Sequence, residues 1–139
     1  MKYFLLILFV CSVHFINAQV LNIEISEIKS DKGLILLSLY NSEKGFPYAG
    51  TSSSKYFNIQ PNRGKATLSI NDLPTGSYAI ALFQDVDGNK KLTTNLFGIP
   101  KEGYAFSNNA SNMFGVPSFK SASFRLYNDT TIQIRLKYF

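Results

Sequence analysis

The stretch ATLSINDLPTGSYAIALF, residues 66–83, decides the fold class. Residues 66–70 alternate apolar and polar side chains, which is the two-residue period of a strand that is buried on one face. Residues 73–76 (LPTG) combine proline and glycine and therefore predict a turn. The nearly continuous apolar run at 78–83 then predicts a second, more deeply buried strand. This strand–turn–strand pattern predicts an all-β domain.

The same pattern continues in both directions along the chain. Residues 21–25 (LNIEI) alternate, 34–40 (LILLSLY) are almost wholly apolar, and 124–127 and 132–136 alternate around a hairpin turn predicted at 128–130. We find no stretch with apolar residues at helical spacing over three turns. The sequence therefore predicts an antiparallel immunoglobulin-like or prealbumin-like sandwich of about seven strands. Its buried positions are predicted to include Leu37, Leu39, Ile70, Ala79, Ile134 and Leu136.

The N-terminus has the composition of a targeting segment. Lys2 precedes an apolar run at residues 3–16, and Ala18 supplies a small residue for cleavage. We expect a secretory signal at residues 1–18 and one mature sandwich domain at 19–139, exported to the periplasm or secreted. A membrane anchor is the first alternative, although the run is shorter than the roughly 18 to 20 residues that span a bilayer. A lipoprotein signal ending at Cys11 is the second.

Cleavage after Ala18 would remove Cys11 and His14, which are the only cysteine and histidine of the chain. The mature chain would then lack a disulfide, a thiol and an imidazole. This excludes Ser-His-Asp and Cys-His catalysis and zinc sites built on cysteine or histidine. Without Lys2 the mature chain has 14 − 1 = 13 basic and 9 acidic residues, a net charge of +4. Because these charges are scattered, we expect no nucleic-acid partner, and we expect no membrane span after signal cleavage.

Residues 85–120 interrupt the succession of strands, and long segments of this kind in compact domains are usually functional. We expect an ordered loop packed on the sandwich. It opens with oxygen-bearing side chains at alternate positions, followed by a further amide, and this is the spacing of a calcium-binding loop with a glycine at its sharp turn. The predicted metal ligands are Asp85, Asp87, Asn89 and Asn95, with calcium as the candidate cofactor.

Two features of the same loop oppose calcium. No acidic residue follows where a calcium loop would have its last carboxylate, and Lys90 and Lys91 are adjacent cations. The alternative is a plain hairpin turn at Asp87–Gly88.

The run GIPKEGYAFSNN, residues 98–109, supplies candidate ligand-binding residues. Its aromatic side chains, together with Phe114 and Phe119, could form a platform for a glycan or a peptide, and its carboxylate could act as a general acid or base. Two structural alternatives are a solvated turn at residues 101–102 and aromatic side chains that cap the core. The candidate ligand-binding residues are Lys101, Glu102, Tyr104, Phe106, Asn108 and Asn109.

Residues 72–110 carry a family resemblance, through DLPTGSYAIALF at 72–83 and QDVDGNKKLTTNLFGIPKEGYAFSNNA at 84–110. With the pattern at 33–42 and GVPSF at 115–119, the chain resembles domain-of-unknown-function family 2141, a set of small exported bacterial proteins. The family usually has His-Asp before the acidic loop and a late Asp within it, whereas this chain has Gln84 and Thr93 there. The resemblance implies an exported sandwich domain and no established activity.

These observations predict an exported, non-enzymatic β-sandwich module that binds a ligand or has a structural role, with a weakly calcium-stabilised loop. Its expected partner is a glycan, a peptide or a cell-envelope protein. The alternative is a small secreted hydrolase, similar to a glycosidase, in which Glu102 works with Asp85 or Asp87.

Overall fold

The structure is a computed structural model that describes residues 18–48, 54–113 and 115–139. The predicted signal segment, residues 1–18, lies outside these ranges except for Ala18, at which the first strand begins. Phe114, one of the predicted platform residues, also lies outside them. Within the described ranges, no helix has the length and apolar character that crossing a lipid bilayer requires.

Eight strands and two single helical turns make up the regular structure of the described residues. Ser118 caps the only α-helical turn among them, because its hydroxyl oxygen accepts the backbone N–H of Ser121 at 3.2 Å. The strands are β1 (Ala18–Ser26), β2 (Leu34–Tyr40), β3 (Ser54–Ile59), β4 (Ala66–Pro74), β5 (Gly76–Asp85), β6 (Tyr104–Phe106), β7 (Phe124–Leu126) and β8 (Thr130–Arg135); the helical turns are a 3-10 turn (Ser107–Asn109) and α1 (Phe119–Ala122).

The strands form two sheets. The smaller sheet has the order β4-β1-β8, and the larger has the order β3-β2-β5-β6, with β7 paired to β5. Apolar side chains of both sheets share one buried cluster, as in a sandwich. The predicted all-β sandwich is therefore confirmed.

One strand pair and one turn differ from the sequence-based expectation. β1 and β8 are parallel, with Leu21 opposite Thr130, although an antiparallel sandwich was expected. The predicted hairpin at 128–130 is wrong, because β7 pairs with β5 in the larger sheet while β8 joins the smaller one. The turn thus carries the chain from one sheet to the other. Asp129 attaches it to β1 by accepting the backbone N–H of Val20 at 2.8 Å.

The core lies between the two sheets and consists of the apolar registers read from the sequence. All six residues predicted to be buried are at most 6% exposed. Five of them belong to the cluster between the sheets, whereas Ala79 belongs to a second cluster. The neighbours of Ala79 along β5, Tyr78 and Ile80, point into the first cluster, so the second lies on the outer face of the larger sheet.

Aromatic rings cover that outer face. Phe46 contacts the rings of Tyr40, Phe106 and Phe119, with centroids 5.2 to 6.0 Å apart. Burial in this cluster raises the pKa of the Tyr40 hydroxyl above its ordinary value of 10.0. The alternative in which aromatic residues cap the core therefore describes Phe106 and Phe119 correctly.

The segment at 85–120 is not one loop, because β6 and the 3-10 turn lie within it and α1 begins in it. β6 extends the larger sheet, since its three residues pair with the middle of β5. The irregular stretch between β5 and β6 is residues 86–103, which we name the β5–β6 loop.

Candidate functional site

The β5–β6 loop leaves and rejoins neighbouring strands of the larger sheet. Phe83 on β5 lies opposite Tyr104 on β6. One residue further, the backbone N–H of Gln84 donates to the carbonyl oxygen of Gly103 at 2.8 Å and closes the base of the loop. The loop therefore begins and ends at two hydrogen-bonded, neighbouring strands, like the loop of a long hairpin.

Gln84 stands at the position where the family usually has histidine. Its side chain is buried and makes only hydrogen bonds that connect parts of the fold. It is 1% exposed, and its amide nitrogen donates to the carbonyl oxygens of Ser30 and Lys32 at 2.6 and 2.8 Å. Its side-chain oxygen accepts the hydroxyl of Tyr138 at 3.0 Å. Every polar atom of this amide has a partner, so Gln84 connects the end of β5 to the β1–β2 turn and to the C-terminus.

Asp85 organises the first turn of the loop from a buried position at 5% exposure. One carboxylate oxygen accepts the backbone N–H groups of Gly88 and Asn89, at 2.9 and 3.1 Å. The other accepts that of Lys90 at 3.0 Å. The carboxylate thus holds three successive amides in a tight curve, which Gly88 permits with a φ of 77°.

Asp87 lies on the exposed side of the same turn. One of its oxygens accepts the backbone N–H of Asn89, and the other accepts the side chains of Asn89 and Thr93 at 2.9 and 3.0 Å. The side-chain oxygen of Asn89 accepts the backbone N–H of Lys91 at 2.7 Å. The sequence-predicted trio Asp85, Asp87 and Asn89 is therefore brought together by a shared hydrogen-bond network.

Glu102 reaches this network from the other end of the loop. It is 7% exposed, so the alternative that residues 101–102 form a solvated turn is wrong for Glu102. Its two carboxylate oxygens accept the backbone N–H groups of Val86 and Thr93, both at 2.9 Å. The contact fastens the end of the loop to its beginning and to its middle.

Asp85, Asp87 and Glu102 form a cluster in which one oxygen from each lies within 4.8 Å of the others. Carboxylates repel each other by about 1 to 4 kcal/mol at 4 Å, for effective dielectric constants from about 80 to 20. A hydrogen bond to a charged acceptor contributes roughly 1.5 to 3 kcal/mol. Backbone amides thereby offset the repulsion, and those that donate into the cluster belong to Val86, Gly88, Asn89, Lys90 and Thr93.

The fourth predicted metal ligand, Asn95, organises a different turn. Its side-chain oxygen accepts the backbone N–H groups of Phe97 and Ile99, at 2.9 and 3.0 Å. Its own N–H donates to the carbonyl oxygen of Ile99, and its carbonyl oxygen accepts the N–H of Gly98. Asn95 is thus the capping residue of a tight turn, and Glu102, which sequence analysis did not assign to a metal site, is the third carboxylate of the cluster.

The turn that Asn95 organises ends a short two-stranded arm, residues 94–100. Thr94 and Pro100 form a β-bridge, and the N–H of Lys101 donates to the carbonyl oxygen of Thr93 at 2.8 Å. At the end of this arm, which we name the tip and define as residues 96–98, Leu96 is 101% exposed and Phe97 is 88% exposed. An ordered backbone therefore presents two adjacent apolar side chains to the surroundings.

The six predicted ligand-binding residues do not share one surface. Lys101 is exposed, whereas Glu102 and Phe106 are buried and Tyr104 is half-buried. The ring of Tyr104 stacks on that of Phe139, with centroids 6.0 Å apart.

The two asparagines of that set connect backbone segments. The side chain of Asn108 donates to the carbonyl oxygen of Ser123 at 2.7 Å, after α1. The side-chain oxygen of Asn109 accepts the N–H of Arg135 in β8 at 2.8 Å. Both are held in a left-handed backbone conformation, with φ of 58° and 49°, that asparagine tolerates better than most residues.

The described residues line clefts on the outer faces of the sandwich. A groove of about 350 Å³ runs beside the start of the β5–β6 loop, and its lining includes Leu36, Tyr56, Phe83 and Lys90. A more polar cleft of about 650 Å³ covers the smaller sheet, and its lining includes Glu24, Thr67, Gln133 and Arg135.

Two packed sheets and a loop folded around three carboxylates define the class of this molecule as a β-sandwich protein. It belongs to the bacterial family described as "Uncharacterized protein conserved in bacteria (DUF2141)", which it matches over residues 23–134. The family resemblance read from the sequence is thereby confirmed. None of the curated proteins and none of the solved structures matches this chain.

Proposed function

We propose that this protein is an exported, non-enzymatic β-sandwich module that binds a component of the cell envelope through the tip of its β5–β6 loop. The observation that carries the proposal is the high exposure of Leu96 and Phe97, at 101% and 88%, on a hydrogen-bonded turn. Ile99, which closes the same turn against Asn95, is also exposed, at 42%. A contiguous exposed apolar patch commonly marks an interaction site.

Export is supported by the composition of residues 1–18, which combine a positive charge, an apolar run and a small residue. An exported module meets glycans, peptides and proteins of the cell envelope, and these are the classes from which its partner comes. A mature chain without cysteine would be insensitive to the redox state of that compartment.

A non-enzymatic role is supported by the use of the buried carboxylates. Both oxygens of Glu102 and both oxygens of Asp85 already accept backbone N–H groups of the loop. These bonds orient the carboxylates toward the backbone, and they give the loop its shape. A small hydrolase that uses Glu102 with Asp85 or Asp87 is the second candidate, favoured by their approach to within 4.8 Å.

Calcium stabilisation of the loop is the last part of the proposal. Three carboxylates contribute to one cluster, and each of them has at least one oxygen that accepts a single hydrogen bond and keeps a second lone pair. Because backbone amides already offset much of the repulsion, we expect weak affinity, at about 10⁻⁴ to 10⁻³ M, as in extracellular calcium modules. A bound ion would stiffen the loop that carries the tip.

The binding role is tested by sedimentation of the purified protein with bacterial envelope fragments. We expect the wild type to co-sediment, and the double variant Leu96→Ser, Phe97→Ser to lose about tenfold or more in affinity, since burial of each large apolar side chain contributes that much. Tyr127→Ser is the matched control, because Tyr127 is 57% exposed outside the loop. Equal sedimentation of the wild type and the double variant would contradict the proposal.

The enzymatic alternative is tested separately on a panel of glycosides and esters. Hydrolysis that Glu102→Gln abolishes, while the circular dichroism spectrum remains that of the wild type, would establish the hydrolase instead.

A further inference from the structure

We infer that the tip inserts into the interface of an anionic lipid surface, an inference that rests on the proposed binding role and names its target. Leu96 and Phe97 would enter the boundary between headgroups and acyl chains, as the apolar residues of interfacial anchors do. Lys90, Lys91 and Lys101, which precede and follow the arm, would face the phosphates.

Three successive backbone N–H groups at the tip are already paired, which lowers the cost of bringing them into an apolar medium. An unpaired N–H or C=O group in hydrocarbon is costly, and therefore segments that enter a bilayer satisfy these groups internally. The N–H groups of Phe97, Gly98 and Ile99 all donate to Asn95, and the N–H of Asn95 donates back to Ile99. Pro100 has no N–H to satisfy. The turn therefore exposes the side chains of Leu96 and Phe97 while the N–H groups of Phe97, Gly98 and Ile99 are already paired.

The arm has the length that an interfacial anchor needs. Lys101 pairs with Thr93, and Ile99 pairs with Asn95 two residues nearer to the tip. Two residues of extended chain span about 7 Å, and Phe97 lies beyond Ile99. The apolar residues of interfacial anchors are buried by about 5 to 10 Å. Insertion of the tip to that depth leaves Lys101 at the level of the headgroups.

The lysines around the arm are available for phosphates. Lys90, Lys91 and Lys101 are exposed, and in the described part of the chain none of their ammonium groups has an ion-pair partner. A lysine close to an anionic membrane gains affinity of about fivefold, and the gain declines with ionic strength. Charge complementarity thus favours an anionic surface over a neutral one.

The small size of the tip favours lipid over a protein partner. A phenylalanine side chain offers about 150 to 250 Å² for burial. Leu96 and Phe97 together remain well below the roughly 800 Å² that each partner buries in a stable protein interface. A bilayer needs no complementary shape, because it surrounds whatever apolar group enters it.

The absence of tryptophan from the chain permits a direct test. In the full protein, Phe97→Trp makes the tip the only source of tryptophan fluorescence, and Tyr127→Trp is the matched control. Tyr127 follows Leu126, which pairs with Gly76 at the start of β5, whereas the loop begins at the other end of β5. We would add vesicles of phosphatidylcholine with about 30 mol% phosphatidylglycerol, whose anionic headgroups attract lysines.

We expect the tryptophan emission of the Phe97→Trp variant to shift to shorter wavelength and to be quenched by brominated acyl chains, while the emission of the control does not change. Adding Leu96→Ser to this variant should weaken its binding by about tenfold, and about 0.5 M salt should weaken it further. Vesicle binding without a shift in the emission of the tip would mean adsorption by charge alone and would overturn insertion.

The same variant separates failure of the lipid inference from failure of the proposed function. If its emission does not respond to vesicles although envelope fragments still bind through the tip, the partner is a protein or a glycan. In that case the lipid inference fails and the proposed function survives. If the protein binds neither vesicles nor envelope fragments, the lipid inference and the proposed function both fail.

Discussion

The carboxylate of Glu102 accepts the backbone N–H of Thr93 at 2.9 Å, across nine residues of the β5–β6 loop. The second oxygen of the same carboxylate accepts the N–H of Val86 at 2.9 Å. One buried side chain therefore determines how the first half of the loop lies against its end. The orientation of the arm that carries Leu96 and Phe97 depends on these two bonds.

We predict that Glu102→Gln destabilises the protein by about 1 to 3 kcal/mol, because it leaves one of the two N–H groups without an acceptor. The measurement is the free energy of unfolding from urea melts. Lys101→Gln is the control, since Lys101 is exposed and should change stability by less than about 0.5 kcal/mol. A loss at Glu102 as small as that of the control would mean that the loop does not depend on this carboxylate.

A pair of leucine substitutions tests the position of the core. Leu37 is 1% exposed between the sheets, and Leu96 is 101% exposed at the tip. We predict that Leu37→Ala costs about 2 to 5 kcal/mol of unfolding free energy, and that Leu96→Ala changes it by less than about 0.5 kcal/mol. The chemical change is identical, so only burial differs. Similar losses in urea melts for the two variants would contradict the assigned register of β2.

Local periodicity was sufficient to predict where the strands lie in the sequence, but not to predict which strands pair with each other. The alternation at Leu21, Ile23 and Ile25 fixes which face of β1 is buried, and the structure agrees. That β1 pairs with β8 across 109 residues is a property of the assembled core, and no local pattern encodes it. The turn signal at 128–130 was read correctly as a turn and wrongly as a hairpin, since a turn does not determine which sheet the next strand joins.

In the candidate site, too, the contacts within one turn could be predicted from the sequence, whereas the contacts between distant residues could not. The spacing of Asp85, Asp87 and Asn89 indicated that their side chains lie close together, because a single turn within residues 85–89 is enough to bring them into contact. The contribution of Glu102 was not predictable from its neighbours, since its partners Val86 and Thr93 are brought to it by the closure of the whole loop. The strand at β6 was missed because three residues are too short for an alternation to be recognised.

A glycine comparison tests the close approach of the β1–β2 turn to the end of β5. A Cβ atom on Gly33 would lie 2.0 Å from the carbonyl oxygen of Asp85, whereas one on Gly88 meets nothing within 4 Å. Both glycines have positive φ, 72° and 77°. We predict that Gly88→Ala costs about 1 to 2 kcal/mol, the strain of a left-handed residue. Gly33→Ala should cost clearly more in urea melts, because backbone must move; equal costs would contradict the close approach.

Asp31 provides a pH-dependent test. Its carboxylate accepts the backbone N–H groups of Gly64 and Arg63, and these hydrogen bonds lower its pKa below the ordinary value of 3.8. Since the folded-state pKa is the lower one, the contribution to stability is complete above pH 3.8 and is lost as the pH falls through the folded-state pKa.

We therefore predict that Asp31→Asn lowers the Tm at neutral pH, and that its difference from the wild type narrows as the pH falls below 3.8. Asp72→Asn is the control, because Asp72 is an exposed aspartate whose positive φ of 59° suits asparagine equally. Its difference from the wild type should be small and should not narrow in this way. A Tm difference at Asp31 that persists unchanged in acid would contradict a role for its ionised form.

Calcium should act on the cluster of Asp85, Asp87 and Glu102 if the ion binds there. Asp87 is the exposed member, so Asp87→Asn removes one charge without disturbing the buried carboxylates. At about 5 mM calcium, roughly ten times a midrange dissociation constant for extracellular modules, binding would stabilise the folded state by about 1.4 kcal/mol. For a domain of this size that corresponds to an increase in Tm of about 3 to 6 °C.

We expect this increase, relative to chelator, in the wild type and in Asp72→Asn, and a much smaller one in Asp87→Asn. A wild type whose Tm is the same in calcium and in chelator would mean that backbone amides alone balance the three carboxylates.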